Sequence, residues 1–355
     1  MLSTMRLNRP KFLQTFLNGR GTMTEIDQRK SYTEGQLRAL RDRLGDAELR
    51  IKGKACVYAT GSFGRFEASE HSDLDLFIVG LGKDDDAANS QHKSQLSRLD
   101  EICVKADLIQ STREIKIPDF DGDGKYLTHY AISELTDALG TPEDDSNNTF
   151  TARLLLLLES QPVIGHSIYR ELLSSAIEPY WRDFPSHKHD FVPAFFANDI
   201  LRLWRTFCVN YEARTRRSPD HEKISGKLKN YKLKHSRLLT CYSAILYLLV
   251  LFQKNGTVTP DDALEMVSST PLQRIVWLSE QDYFPAGNQA AQRVVDQYNL
   301  FLERTSEPKG NLLLKFADSS MSSKLMMEAN YFGELMYELL QSVGNGTRFH
   351  RIIAV

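Results

Sequence analysis

The sequence predicts an α+β fold, a small α/β unit followed by a mostly helical one. Three observations carry that expectation. The apolar runs "KACVYAT" at 54–60 and "DLDLFIV" at 73–79 have the length of buried strands, and Gly61-Ser62 supplies a turn after the first. Ahead of them, residues 31–50 place Leu37, Leu40 and Leu44 on one helical face with charges opposite. Beyond about residue 140 the apolar segments carry helical periodicity.

Taken in order, residues 1–30 form a basic, mildly amphipathic N-terminal segment without the apolar run of a secretory signal. A helix over 31–50 leads into the two strands. The polar stretch "KDDDAANSQHK" then opens a helix around 91–110, and "YLTHYAI" near 126–132 reads as a third strand. Helical segments follow, among them "TFTARLLLLLES", "FFANDILRLWRTFCVNYEARTRR", "SRLLTCYSAILYLLVLF" and "LMMEANYFGELMYELL". The expected organisation is therefore an α/β unit at 31–145, a helical unit at 146–343 and a tail at 344–355. "TPEDDSNNT" and "RTRRSPDHEKISG" read as connecting loops.

Composition narrows the function classes. The chain has 355 residues, 41% apolar and 25% charged, as in soluble globular proteins of one large domain or two. A net charge of −2 excludes a global attraction to nucleic acid or acidic membranes, so any such contact needs a local patch. Cys56, Cys103, Cys208 and Cys241 lie too far apart for metal-ligand pairs and point to reduced thiols in a cytoplasmic protein. The longest apolar stretch, 241–252, is too short to span a bilayer and reads as a core helix, so no membrane contact is expected.

Chemistry concentrates in "GSFGRFEASEHSDLDLFIVG" at 61–80. Alternate residues of a strand share a face, so Asp73 and Asp75 project together, about 7 Å apart at Cα, while Leu74 and Leu76 point to the core. Two converging carboxylates suit a divalent ion, and Mg²⁺ keeps further positions for substrate phosphates. Gly61 and Ser62 end a strand in a turn whose backbone N–H groups favour anionic phosphate, with the Ser62 hydroxyl as a further donor. Arg65 either reaches a phosphate or fixes the loop through Glu67.

"GSFGRFEASEHSDLDL" resembles the signature of the DNA polymerase β-like nucleotidyltransferase superfamily: a Gly-Ser turn, about ten residues, then Asp-x-Asp on the next strand. The added Phe-Gly-Arg-x-Glu and Ser-Asp-Leu-Asp-Leu are most similar to the bacterial protein-PII uridylyltransferase group. The resemblance implies that Asp73 and Asp75 ligate Mg²⁺ or Mn²⁺ and that Gly61 and Ser62 hold nucleotide phosphates. It covers about twenty residues closely, with a matching helix–strand order over about a hundred. The His-Asp hydrolase and regulatory domains of that group are not found in this sequence. "SHKHDF" at 186–191 has the letters of the hydrolase motif without its helical surroundings.

The family pattern also expects a third carboxylate on a neighbouring strand. Asp107, Asp119, Asp121 and Asp123 are in range; Asp121 and Asp123, just ahead of "KYLTHY", are favoured, with Asp123 taken as the catalytic one. Asp107 lies on a helical pattern and reads as a solvated charge. His129 is a candidate proton acceptor, although a packed strand histidine is the plainer reading. "DFDGDG" matches half of a calcium loop, but Tyr130 stands where its bidentate glutamate belongs.

The helical half contributes one charged feature. From Arg214 to Arg237 there are nine Lys or Arg against two acids. Either this is a solvated face, or Lys227, Lys229, Lys232 and Lys234 form a phosphate-facing rim, with Lys227 and Lys232 assigned to the nucleotide. The expected activity is transfer of a nucleoside monophosphate from an NTP to an acceptor hydroxyl with release of pyrophosphate. The resemblance tilts the acceptor toward a protein side chain; the basic stretch tilts it toward an RNA 3′ end or a nucleotide. A degenerate fold that only senses nucleotide is the non-enzymatic alternative.

Overall fold

The computed structural model describes residues 23–83, 94–118, 127–216, 219–281 and 285–354. Thr24 accepts a hydrogen bond from Asp27 N at 3.3 Å and so starts α1 (Glu25–Arg41), which places Leu37 and Leu40 inward. The expected single helix over 31–50 is instead two. The chain turns at 42–44 ahead of Gly45, a weak helix former, and continues as α2 (Gly45–Ile51). Next come β1 (Ala55–Thr60), the one-turn α3 (Gly61–Gly64) and β2 (Asp75–Gly80). α4 (Arg98–Glu114), capped by Ser97, precedes β3 (His129–Ala131). β3 is shorter than expected because Glu134 Oε2 takes Ala131 N at 2.7 Å and turns the chain into α5 (Ile132–Asp137).

α6 (Pro142–Ser146) and α7 (Thr149–Glu159) lead to β4 (Gln161–Ile164). The sheet order is β3-β2-β1-β4, with β1 antiparallel to β2 and β4, and β3 parallel to β2. Its fourth strand thus comes from beyond residue 145, so the sheet draws on both sides of the expected boundary. Arg41 donates to the carbonyls of Pro162 at 2.7 Å and Val163 at 3.2 Å and covers this edge.

Each sheet face has its own core. Val57, Ala59, Leu74, Leu76 and Ile78 pack on α1, α2 and α4. Tyr58, Phe77 and Val79 pack on the Leu154–Leu158 run of α7 and on α8 (His166–Ile177), in a core continuous with the helical half. β1 is buried along its whole length, which is why its sequence is apolar without alternation.

The helical half comprises α9 (Ala194–Thr215), α10 (Asp220–Lys232), α11 (Leu238–Asn255), α12 (Pro260–Val267), α13 (Pro271–Ser279), α14 (Pro285–Arg304), α15 (Lys309–Ala317), α16 (Ser319–Gly344) and α17 (Arg348–Ala354). A π-turn at Leu233–Arg237 joins α10 to α11 without a break. The combined helix, Glu222–Asn255, is long and apolar enough to cross a membrane by composition, but 83% of its apolar window is buried inside the protein. It is the core helix of this half, as the sequence leads one to expect.

Candidate active site

The antiparallel register pairs Thr60 with Asp75, so the end of β1 and the start of β2 meet at one end of the sheet. Gly61 follows at φ +65°, a conformation that side chains rarely adopt. A Cβ on Gly61 would stand 2.8 Å from Asp75 Oδ2, so the turn backbone and the carboxylate are direct neighbours. Asp73 lies exposed two residues before β2, while Leu74 and Leu76 are buried beneath. Ser62 is half-buried at the turn. Gly64 allows the turn to close, since a Cβ there would collide with the carbonyl oxygens of Glu159 and Ala59.

The charge of Asp73 acts on Asp75. Burial, then the like charge of Asp73, raise the Asp75 carboxyl to about 6; Arg237 and Arg65 oppose this and Glu159 adds to it. A cation between the carboxylates would relieve both effects. Hard oxygen donors of this kind fit Mg²⁺ or Mn²⁺, which need only one or two carboxylates beside substrate phosphates. Among the described residues no third Asp, Glu, His or Cys completes a metal group with them. The expected third carboxylate, Asp123, lies outside the described residues, as do Asp119 and Asp121. Asp107 faces α2, 3.9 Å from Arg50.

Arg65 is 7% exposed and engaged by protein: Nε donates to Glu67 Oε2 at 2.8 Å and Nη1 to Glu159 Oε2 at 2.9 Å. Tyr298 OH also donates to Glu67 Oε2, at 2.9 Å, which ties the loop to α14. In this arrangement Arg65 fixes the turn. His129 is packed, with Nδ1 3.0 Å from Glu101 Oε2 and Nε2 2.9 Å from Ser94 Oγ. It pairs with Ile78, three residues along β2 from Asp75, about 10 Å at strand spacing.

The basic stretch divides. Lys232 is exposed at the surface, yet the atoms around it, then Arg29, Lys309 and Arg65, pull its ammonium below the usual lysine range, with Asp73 opposing. Its surface stays open to water, and that tempers the shift. Lys232 is thus within electrostatic range of Asp73. Lys227 and Lys229 are exposed on α10, and among the described residues no contact joins them to Asp73 or Asp75. Lys234 donates to Asn330 Oδ1 at 2.7 Å, on α16.

Sequence reasoning missed Glu159 and Arg237. Glu159, 2% exposed at the end of α7, accepts from Gly61 N at 3.2 Å, Thr240 Oγ1 at 2.7 Å, Arg65 and Arg237. Burial alone would raise its carboxyl; Arg237 and Arg65 outweigh that and hold it below the usual range. The one signal available was a lone acid closing a run of five leucines. No protein-family model matches this chain, and no curated protein matches it.

Proposed function

We propose that the chain is a metal-dependent nucleotidyltransferase of the DNA polymerase β-like kind, with its nearest motif likeness in the protein-PII uridylyltransferase group. An acceptor hydroxyl oxygen bonds to the α-phosphorus of an NTP, the α–β bridging bond breaks, pyrophosphate leaves with the bonding electrons, and the hydroxyl proton passes to water. The observation that carries this reading is the meeting of the Gly61-Ser62 turn with the Asp73/Asp75 pair at one end of β1 and β2.

Asp73 and Asp75 would hold Mg²⁺ or Mn²⁺, which when bound polarises the α-phosphate and eases loss of the acceptor proton. Gly61 leaves room for phosphate beside the backbone, and Ser62 offers a hydroxyl donor. Arg65, locked on Glu67 and Glu159, keeps the turn rigid. Lys232 adds positive charge from the helical side. The acceptor we propose is a protein side-chain hydroxyl. The exposed Lys227 and Lys229 beside Lys232 favour a second reading, an RNA 3′ end or a nucleotide. The four cysteines are free thiols, in keeping with a cytoplasmic setting.

The test incubates purified protein with each α-labelled NTP and Mg²⁺ or Mn²⁺, with and without cell lysate, and separates protein, RNA and small-molecule fractions. Label in one fraction names the acceptor. No transfer from any NTP under any of these conditions would overturn the enzymatic reading.

A further inference from the structure

Glu159 joins two elements that the sequence keeps far apart. Its Oε1 accepts from Gly61 N at 3.2 Å and also from Arg237 Nη1, so one oxygen links the turn after β1 to the π-turn of the helical half. Its Oε2 accepts from Arg65 Nη1 at 2.9 Å and Thr240 Oγ1 at 2.7 Å. Arg65 already has Glu67 as a counter-charge, so Arg237 is the cation whose place depends on Glu159.

Arg237 is built for a further contact. Its guanidinium lies 5.0 Å from the Phe207 ring centroid, and a quarter of its side chain is open to solvent. Glu159 is its one hydrogen-bond partner among the described residues, which leaves most of its five N–H donors unused. It is close enough to Asp75 to act on that carboxylate. A planar fork of donors tied through Glu159 to the Gly61 turn, and within electrostatic range of Asp75, suits the oxygens of a polyphosphate. The π-turn has a part in this. The wider turn shifts the register between Lys232 and Leu238, and such turns mark functional positions in helices.

We infer that Glu159 is a positioning residue that aims Arg237 at the triphosphate of the substrate and locks it in register with the Gly61 turn. This rests on the nucleotidyltransferase reading above. It adds that the phosphate subsite is assembled from both halves of the chain through one buried carboxylate. A merely structural Glu159 would stabilise the interface without governing what Arg237 binds.

The experiment measures binding of Mg²⁺-tripolyphosphate and of each Mg²⁺-NTP by calorimetry to wild type, Arg237→Gln, Glu159→Gln and the double variant, each checked for folding by circular dichroism. We expect R237Q to weaken tripolyphosphate and NTP about tenfold alike, the loss of one charged hydrogen bond. E159Q should lose a similar factor, and the double variant no more than twice the loss of R237Q alone, because both changes remove one coupled contact. Wild-type binding in R237Q, or losses that multiply to about a hundredfold in the double variant, would overturn the inference while leaving the site reading intact. Failure of wild type to bind tripolyphosphate or any NTP would overturn both. Should E159Q not fold, Arg237→Lys decides: it keeps the charge but not the fork, and is expected to bind at least threefold more weakly, so wild-type affinity there overturns the positioning role.

Discussion

His235 makes the fold sensitive to acid, and the size of the effect follows from its surroundings. The ring is fully buried in the π-turn, stacked 4.4 Å from Phe301 at 6° and 4.9 Å from Phe332 at 28°. Nδ1 lies 2.9 Å from the Tyr231 carbonyl and therefore carries the proton; Nε2 has no partner among the described residues. Burial, reinforced by Lys234 and opposed by the Tyr231 bond, lowers its pKa from 6.5 to about 4. Between those values the unfolded chain binds the extra proton and the folded chain does not. Stability is therefore complete above the unfolded pKa and falls as pH drops toward the folded one, by about 1.4 kcal/mol per pH unit and about 3 kcal/mol over the window. Urea unfolding at pH 7.5, 6.5, 5.5 and 4.5 measures this directly. His235→Asn keeps a donor near Tyr231 and removes the titration; it lowers stability at pH 7.5 through the lost ring packing but flattens the slope. An equal slope in wild type and H235N would refute the reasoning.

Asp73→Asn and Asp75→Asn should each abolish nucleotide transfer with unchanged circular dichroism. Because Asp75 is held above its ordinary carboxylate range, D75N should also stabilise the metal-free protein at pH 8 by about 1–2 kcal/mol in urea titrations, once partial exposure is discounted. Gly64→Ala should cost about 3 kcal/mol, since its Cβ meets rigid backbone oxygens, and a variant within about 0.5 kcal/mol of wild type would count against the turn geometry. Arg153 and Asp144 form a bidentate pair at 2.6 and 3.0 Å with both side chains fully buried. Arg153→Met alone should cost about 3–5 kcal/mol by stranding a buried charge, and Arg153→Met/Asp144→Leu should recover part of that in the same unfolding assay.

Much of the fold was legible because it is written in local pattern. The run at 54–60 is a strand almost to the residue, the run at 73–79 becomes one only from Asp75, and the apolar periodicity beyond 140 marks real helices. Strand alternation holds for Asp75, Phe77 and Val79, which share the face that runs into the second core, whereas Asp73 lies ahead of β2 and its place beside Asp75 does not follow from strand geometry. β4 was not legible. "QPVI" is too short to show a period, and only its pairing with β1 makes it a strand. The same holds for Glu159, whose meaning lies in partners distant in sequence: Gly61, Arg65, Arg237 and Thr240. Within the basic stretch, an ideal helix would put Lys227 and Lys234 on one side. Lys234 falls inside the π-turn and donates to Asn330, while Lys232, the last residue of α10, stays within electrostatic range of Asp73.

The sheet order also bears on how the protein is made. β1 acquires β2 as a neighbour soon after synthesis, but its other side waits for Gln161–Ile164. At bacterial-to-eukaryotic elongation rates the interval is on the order of 5–15 s. During it a strand that the finished fold buries along its whole length presents unpaired backbone groups on a ribosome-bound chain, a ready template for wrong pairing. Arg41 cannot shield that side earlier, because its hydrogen bonds are to the late strand itself. One side of β1 therefore stays without its partner strand until residue 164 has cleared the exit tunnel, and slowing of translation beyond β2 would lengthen that exposure.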